Sequence, residues 1–89
     1  MRAIVTVVGK DQVGIIASVC TLLAENGVNI LDISQTVMQE YFTMVMLVDT
    51  AKCPAPFSDL SESLKSRGEE KSVSIRIQRE DIFEAMHRI

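Results

Sequence analysis

The chain has no excess of positive charge, few aromatic side chains and no apolar run long enough to cross a bilayer, and each shortage removes a class of function. Nine Lys and Arg stand against twelve Asp and Glu, a net charge of −3 over 89 residues. Basic residues such as Arg2, Lys10, Lys52, Lys65 and Arg76 are scattered, whereas a nucleic-acid surface needs a basic stripe to neutralise phosphates. Direct contact with nucleic acid is therefore not expected. No segment approaches the ~20 apolar residues of a membrane helix, and the opening Arg2-Ala3-Ile4-Val5-Thr6-Val7-Val8 lacks the apolar segment and cleavage site of a secretory signal. Neither membrane attachment nor export is expected. The two cysteines, Cys20 and Cys53, lie far apart and form neither a metal knuckle nor a CxxC redox motif. Two free thiols suit a reducing cytoplasm, and no metal or cofactor is expected. The single histidine, His87, has no carboxylate constellation beside it that would make it a base.

What is present is enough apolar sequence, 47%, to build one small domain with a modest core. Residues 2–9 place Ala3, Val5 and Val7 on one face and Ile4 and Val8 on the other, the pattern of a strand covered on both sides. Residues 12–26 carry Ile16, Val19, Cys20 and Leu23 at helical spacing, with Asp11 placed as N-cap and Gly27 as terminator. Residues 28–39 read as a second strand whose apolar phase slips between Ile30 and Ile33, which predicts a bulge, and Asp32 sits oddly within it. Glu40 and Tyr41 mark a hairpin turn. Residues 41–49 are again apolar on both faces, with Phe42, Met44, Met46 and Val48 opposite Val45 and Leu47, and the methionines read as core filling. Pro54 and Pro56 interrupt regular pairing, and a second helix over 56–67 follows, closed by Gly68. Strict alternation over 72–78 predicts a strand with one wet face, and Ile82, Phe83, Met86 and Ile89 predict a short docked helix over 80–88.

The order βαββαβ predicts an α+β, ferredoxin-like sandwich: a four-stranded antiparallel sheet of order 4-1-3-2 with two helices on one face and a short C-terminal helix. The two strands that are apolar on both faces are the two that this order makes central. The same arrangement leaves Ile4, Val8, Val45 and Leu47 on a face that no helix covers. A patch of that kind predicts a homodimer or a higher homo-oligomer, formed edge to edge through the second strand or face to face through the sheet.

The stretch Gly9-Lys10-Asp11-Gln12-Val13-Gly14-Ile15-Ile16-Ala17 carries the main functional signal. It runs from a strand straight into a helix, whose first turn has unpaired N–H donors and a partial positive charge suited to a small carboxylate. An acylphosphatase also has a glycine-rich turn here, but needs an arginine at the helix start, and none occurs between Arg2 and Arg67. A copper-chaperone loop needs two cysteines, and an RNA-recognition sheet needs stacking aromatics where only Tyr41 and Phe42 qualify.

Together with Gly27-Val28-Asn29-Ile30-Leu31-Asp32-Ile33, the loop resembles the pattern of the ACT domain over almost the whole chain, and in particular the small stand-alone ACT proteins related to the glycine cleavage system transcriptional repressor. That family often carries Arg-Pro before the helix glycine, where this chain has Gln12-Val13. The resemblance implies a single ACT domain over residues 1–89, without catalysis, that binds a small amino acid or related metabolite at a subunit interface and signals to a partner protein. It implies ligand-binding roles for Asp11, Gln12, Val13, Gly14 and Ile15 from one chain and for Asn29 and Ile30 from another. Physically, donors near Gly14 and Ile15 can receive an α-carboxylate, Asp11 can meet an α-ammonium, and Asn29 offers both a donor and an acceptor. Each also has a plainer use: Asp11 as a helix cap, Asn29 as a turn residue, Gly14 as a packing residue. A protein-protein interaction module with no small ligand is one alternative function, and an acylphosphatase-like hydrolase, kept for the glycine loop alone, is the other.

Overall fold

The computed structural model of the protein describes residues 1–10 and 14–81. Four strands, β1 (Arg2–Lys10), β2 (Asn29–Met38), β3 (Tyr41–Asp49) and β4 (Val73–Arg79), form one antiparallel sheet of order β2-β3-β1-β4. Helices α1 (Ile15–Glu25) and α2 (Phe57–Glu70) lie on one face of it, giving the expected ferredoxin-like α+β sandwich. Alternation explains the core. Ala3, Val5 and Val7 from β1, Phe42, Met44, Met46 and Val48 from β3, and Val73, Ile75 and Ile77 from β4 all point toward the helices. They meet Ile15, Val19, Leu22 and Leu23 of α1 and Leu60 and Leu64 of α2 in one continuous cluster.

Strand β2 departs from that pattern. Its register shifts between Ile30, paired with Val48, and Asp32, paired with Leu47, so Leu31 is the extra residue of a bulge. Asp32 marks the spot: its Oδ1 accepts a hydrogen bond from the Ile33 N–H at 2.9 Å. Beyond Ile30 every residue of β2 is exposed. Ile33 and Val37 share the helix-facing side with Met46 and Phe42, yet are 41% and 56% exposed because neither helix extends over them. On the open face Ile4, Val45 and Leu47 are half-buried, while Val8, Met38 and Tyr41 are exposed. Exposed apolar side chains also gather along β2, where Leu31, Ile33, Val37 and Met38 are all exposed.

Three local expectations are corrected. The first helix begins at Ile15 rather than Gln12, and its N-cap is Gly14, with no side-chain cap bond, rather than Asp11. A φ of +82° at Gly14 cannot continue a right-handed helix, so the helix starts after it. The hairpin turn is Gln39-Glu40, with Gln39 at φ +56°, and Tyr41 is already paired with Met38 and Lys10 in the sheet. Gly68 does not end α2, which continues to Glu70. A Cβ on Gly68 would stand 2.7 Å from the carbonyl oxygen of Val73, so this glycine lets the helix lie directly on β4. The turn is made instead at Lys71 and Ser72, where the Lys71 N–H bonds the Gly68 carbonyl at 3.0 Å and Ser72 takes φ +60°. The expected C-terminal helix falls largely on residues 82–89, outside the described residues. Glu80 and Asp81 are helical, and Glu80 bonds Arg2 at 3.0 Å.

Gly68→Ala sets two effects against each other. Alanine in a helix gains about 1 kcal/mol over glycine, but overpacking against backbone costs about 1–3 kcal/mol. Urea denaturation is expected to give a net loss of stability, whereas Ser66→Ala, on an exposed position of the same helix, is expected to be neutral or better.

Candidate ligand site divided between the two ends of the sheet

The strand-to-helix connection that carries the sequence signal leaves β1 at Lys10, beside Tyr41 and the β2–β3 hairpin. Asp11, Gln12 and Val13 are outside the described residues. Gly14 is exposed, and a Cβ added to it would meet nothing within 4 Å. What requires glycine is the left-handed φ, not close packing within the chain. The Ser18 N–H closes the first helical bond, to the Gly14 carbonyl at 2.9 Å, so the N–H groups of Ile15, Ile16 and Ala17 before it have no partner within the helix. The Ile15 side chain is buried in the core, 5% exposed. Only its backbone can serve a ligand.

Asn29 opens β2 at the opposite end of the sheet. It pairs with Asp49, which pairs in turn with Arg2, while the loop leaves from Lys10 eight residues away along β1. At ~3.3 Å per residue the two ends stand about 26 Å apart, too far for one small amino acid to touch both. Ile30, next to Asn29, turns its side chain into the helix-facing core and is half-buried there. Within one chain the structure brings Gly14 and Ile15 together and Asn29 and Ile30 together. It does not bring the two pairs together.

Asn29 has neighbours that sequence reasoning missed. It shares an open cavity of about 480 Å³ with Asp49, Ala51 and Lys52 from the end of β3 and with Ala24, Gly27 and Val28 from the α1–β2 turn. The missed signal was the pairing of Asn29 with Asp49, which only register reveals. Gly27 is what brings the two segments together: it has φ +73°, and a Cβ there would lie 2.7 Å from the Lys52 carbonyl oxygen. The Asp49 carboxylate accepts the Ala51 N–H at 2.9 Å and faces the terminal amine at 3.5 Å. The Ala51 bond is the largest cause of its lowered pKa, with the terminal amine and Arg2 acting in the same direction and slight desolvation opposing. Among the described residues no group of three or more His, Cys, Asp or Glu is placed to hold a metal ion, and no helix is long and apolar enough to cross a membrane.

The sheet order and the two helices on one face define a ferredoxin-like α+β domain of the ACT type. The sequence pattern of the ACT domain family matches residues 2–78, and the chain belongs to that family, whose members are regulatory small-molecule-binding domains. It is 54% identical over 89 residues to a UPF0237 protein of Clostridium acetobutylicum, the match covering all of both chains. Its fold superposes on that of an ACT domain protein from Streptococcus pneumoniae with a TM-score of 0.83 and 48% identity, over 94% of each chain. It also shares its fold with a glycine cleavage system transcriptional repressor, at a TM-score of 0.72 and 24% identity, over 86% of this chain and 44% of that one.

Two expectations follow from these geometries. Gly14→Ala is expected to lower stability by about 1 kcal/mol through backbone strain alone, and Gly27→Ala by clearly more because strain and collision add, both read from denaturant midpoints. Because the folded-state pKa of Asp49 is depressed, its contribution is present above the unfolded carboxylate pKa and is lost as pH falls through the folded value. The melting temperature of Asp49→Ala is therefore expected to lie below that of the native protein at pH 7 and to converge with it on acidification below the carboxylate range.

Proposed function

We propose that this protein is a non-catalytic regulatory module that binds a small amino acid or related metabolite between two copies of itself and passes occupancy to a partner protein. The observation that supports the reading is the separation of Asn29 from Gly14, together with an apolar edge strand that no described helix covers. If β2 pairs antiparallel with β2 of a second copy, a two-fold axis places the start of one β2 beside the end of the other. Asn29 of one chain then comes to the end of the assembly where Met38, Tyr41, Lys10 and the loop of the other chain lie. Edge pairing satisfies the free backbone groups of β2 and brings Leu31, Ile33 and Val37 under cover.

In such a site the free donors after Gly14 hold the α-carboxylate of the ligand. Asp11 meets its α-ammonium, and Asn29 of the second copy supplies a donor and an acceptor from the other side. Gln12, Val13 and the backbone of Ile15 and Ile30 form the walls. Two such sites arise per dimer, each incomplete without the neighbouring chain. Sensing and assembly are then linked, because a ligand that bridges two chains stabilises their association by its own binding free energy.

A screen of the twenty amino acids by thermal shift tests this directly. A true ligand at about one hundred times its Kd adds ~2.7 kcal/mol, several degrees or more for a domain of this size. Asn29→Ala is expected to weaken that ligand at least ~10-fold, the loss of one or two hydrogen bonds, without lowering the stability of the ligand-free protein. No shift with any amino acid at millimolar concentration refutes ligand sensing. In sedimentation, Val37→Glu on the exposed edge is expected to yield monomers and Leu47→Glu on the open face to leave the dimer intact; the reverse result places the interface on the sheet face.

A further inference from the structure

A second concavity lies between the two helices, away from the loop and from Asn29. Residues Ile15, Ser18, Val19 and Leu22 recur at helical spacing on the side of α1 that faces α2, and Arg67 and Lys71 stand one turn apart at the end of α2. They enclose two connected spaces. The inner one is a cavity of about 40 Å³ with a floor of Ile15, Val19, Leu22 and Ile75, each less than 10% exposed. The outer one is an open groove of about 320 Å³ whose rim carries Ser18, Thr21, Glu25, Arg67 and Lys71. Ser18, Leu22, Arg67 and Lys71 line both.

The two spaces ask for different chemistry. The floor of the inner cavity is apolar and favours an apolar group, while Ser18, Arg67 and Lys71 line its mouth, and ~40 Å³ accommodates about one or two methyl groups. The rim presents the opposite. Arg67 makes no ion pair with any described residue, and its planar guanidinium, beside the Lys71 ammonium and the Ser18 and Thr21 hydroxyls, is suited to a carboxylate. Among the described residues Glu25 is the one acid on the rim, which also carries the Arg67 guanidinium. A molecule that satisfies both levels is short, ends in a branched or terminal methyl group, and carries a carboxylate a few bonds away.

We propose that the groove between α1 and α2 is a binding site for short aliphatic carboxylates, with the carboxylate on Arg67 and the aliphatic end in the cavity over Val19 and Ile75. Its lining residues come from α1, the end of α2 and β4, none of them from the β2 edge. It shares Ile15 with the start of α1, so its occupant rests against the helix that follows the Gly14 loop.

Two-dimensional amide NMR of the uniformly labelled protein, titrated with 3-methylbutanoate, acetate, 3-methylbutan-1-ol and inorganic phosphate, tests the proposal. The branched carboxylate is expected to move the amides of Ser18, Val19, Leu22 and Ile75 along a saturating curve, with a Kd at least ~10-fold below those of acetate and of the alcohol. Arg67→Gln is expected to weaken it by ~10-fold, the loss of a charge-assisted bond, and Ser18→Leu, which fills the mouth of the cavity, to abolish it. Both variants change exposed positions, and their spectra report directly whether the fold is kept. Equal response to acetate, phosphate and the branched acid means an adventitious ion only and overturns the proposal. So does a Kd that Arg67→Gln leaves unchanged, or perturbation confined to residues elsewhere.

Discussion

Two helices of eleven and fourteen residues lie on a sheet of four strands, and beyond Ile30 they leave β2 exposed. Most of the rest of the structure answers to that shortage of cover. The order β2-β3-β1-β4 places β1 and β3 in the middle, where their helix-facing residues are sealed, from Ala3 to Val7 and from Phe42 to Val48. Strand β4 is held by α2, which approaches it so closely that Gly68 has no room for a side chain. Strand β2 receives only the entry of the chain from α1, with Val28 and Ile30 packed and the residues beyond left in contact with water. A hydrophobic edge of this length invites pairing with another strand, and it carries no proline or run of charge to discourage that.

How the chain meets the strain of its tight connections follows from the same economy of length. Three of its four glycines sit where a side chain would strike backbone or a packed side chain: Gly9 against Val73, Gly27 against the Lys52 carbonyl, and Gly68 against the Val73 carbonyl. Gly14 alone faces open space and is needed for its positive φ. That contrast bears on function. Gly14 itself has no side chain to cap the first N–H groups of α1, which is the position where a bound carboxylate could take the place of a cap.

Much of the fold was legible in the sequence because its signals are periodic. The two-faced strands at 2–9 and 41–49 identified the centre of the sheet, and the slipped phase between Ile30 and Ile33 located the bulge at Leu31. What could not be read were features that depend on neighbours distant in the chain. Gly68 looks like a terminator because glycine commonly ends helices, and only the approach of β4 explains why α2 passes through it. Asp11 looks like a cap because it precedes an apolar period, but the cap position falls to Gly14. The exposure of Ile33 and Val37 was equally hidden: their spacing says they face the helices, and only the length and placement of α1 and α2 say that neither of these reaches them.

The candidate site was half legible for the same reason. Its loop is continuous in sequence and announces itself by glycine and polar residues between a strand and a helix. Its second half rests on Asn29, whose surroundings are set by pairing with Asp49 and by the close approach of Gly27 to Lys52. A sheet nine residues long keeps these halves at opposite ends of one chain, so no side-chain rotation or loop movement can join them. Symmetry can. In the proposed dimer, an antiparallel two-fold through β2 would exchange the ends of the strand, and the same operation would cover the apolar edge and complete the site. One contact surface then answers both the shortage of cover and the division of the ligand groups, which is why occupancy and association are expected to be read as a single equilibrium rather than as two.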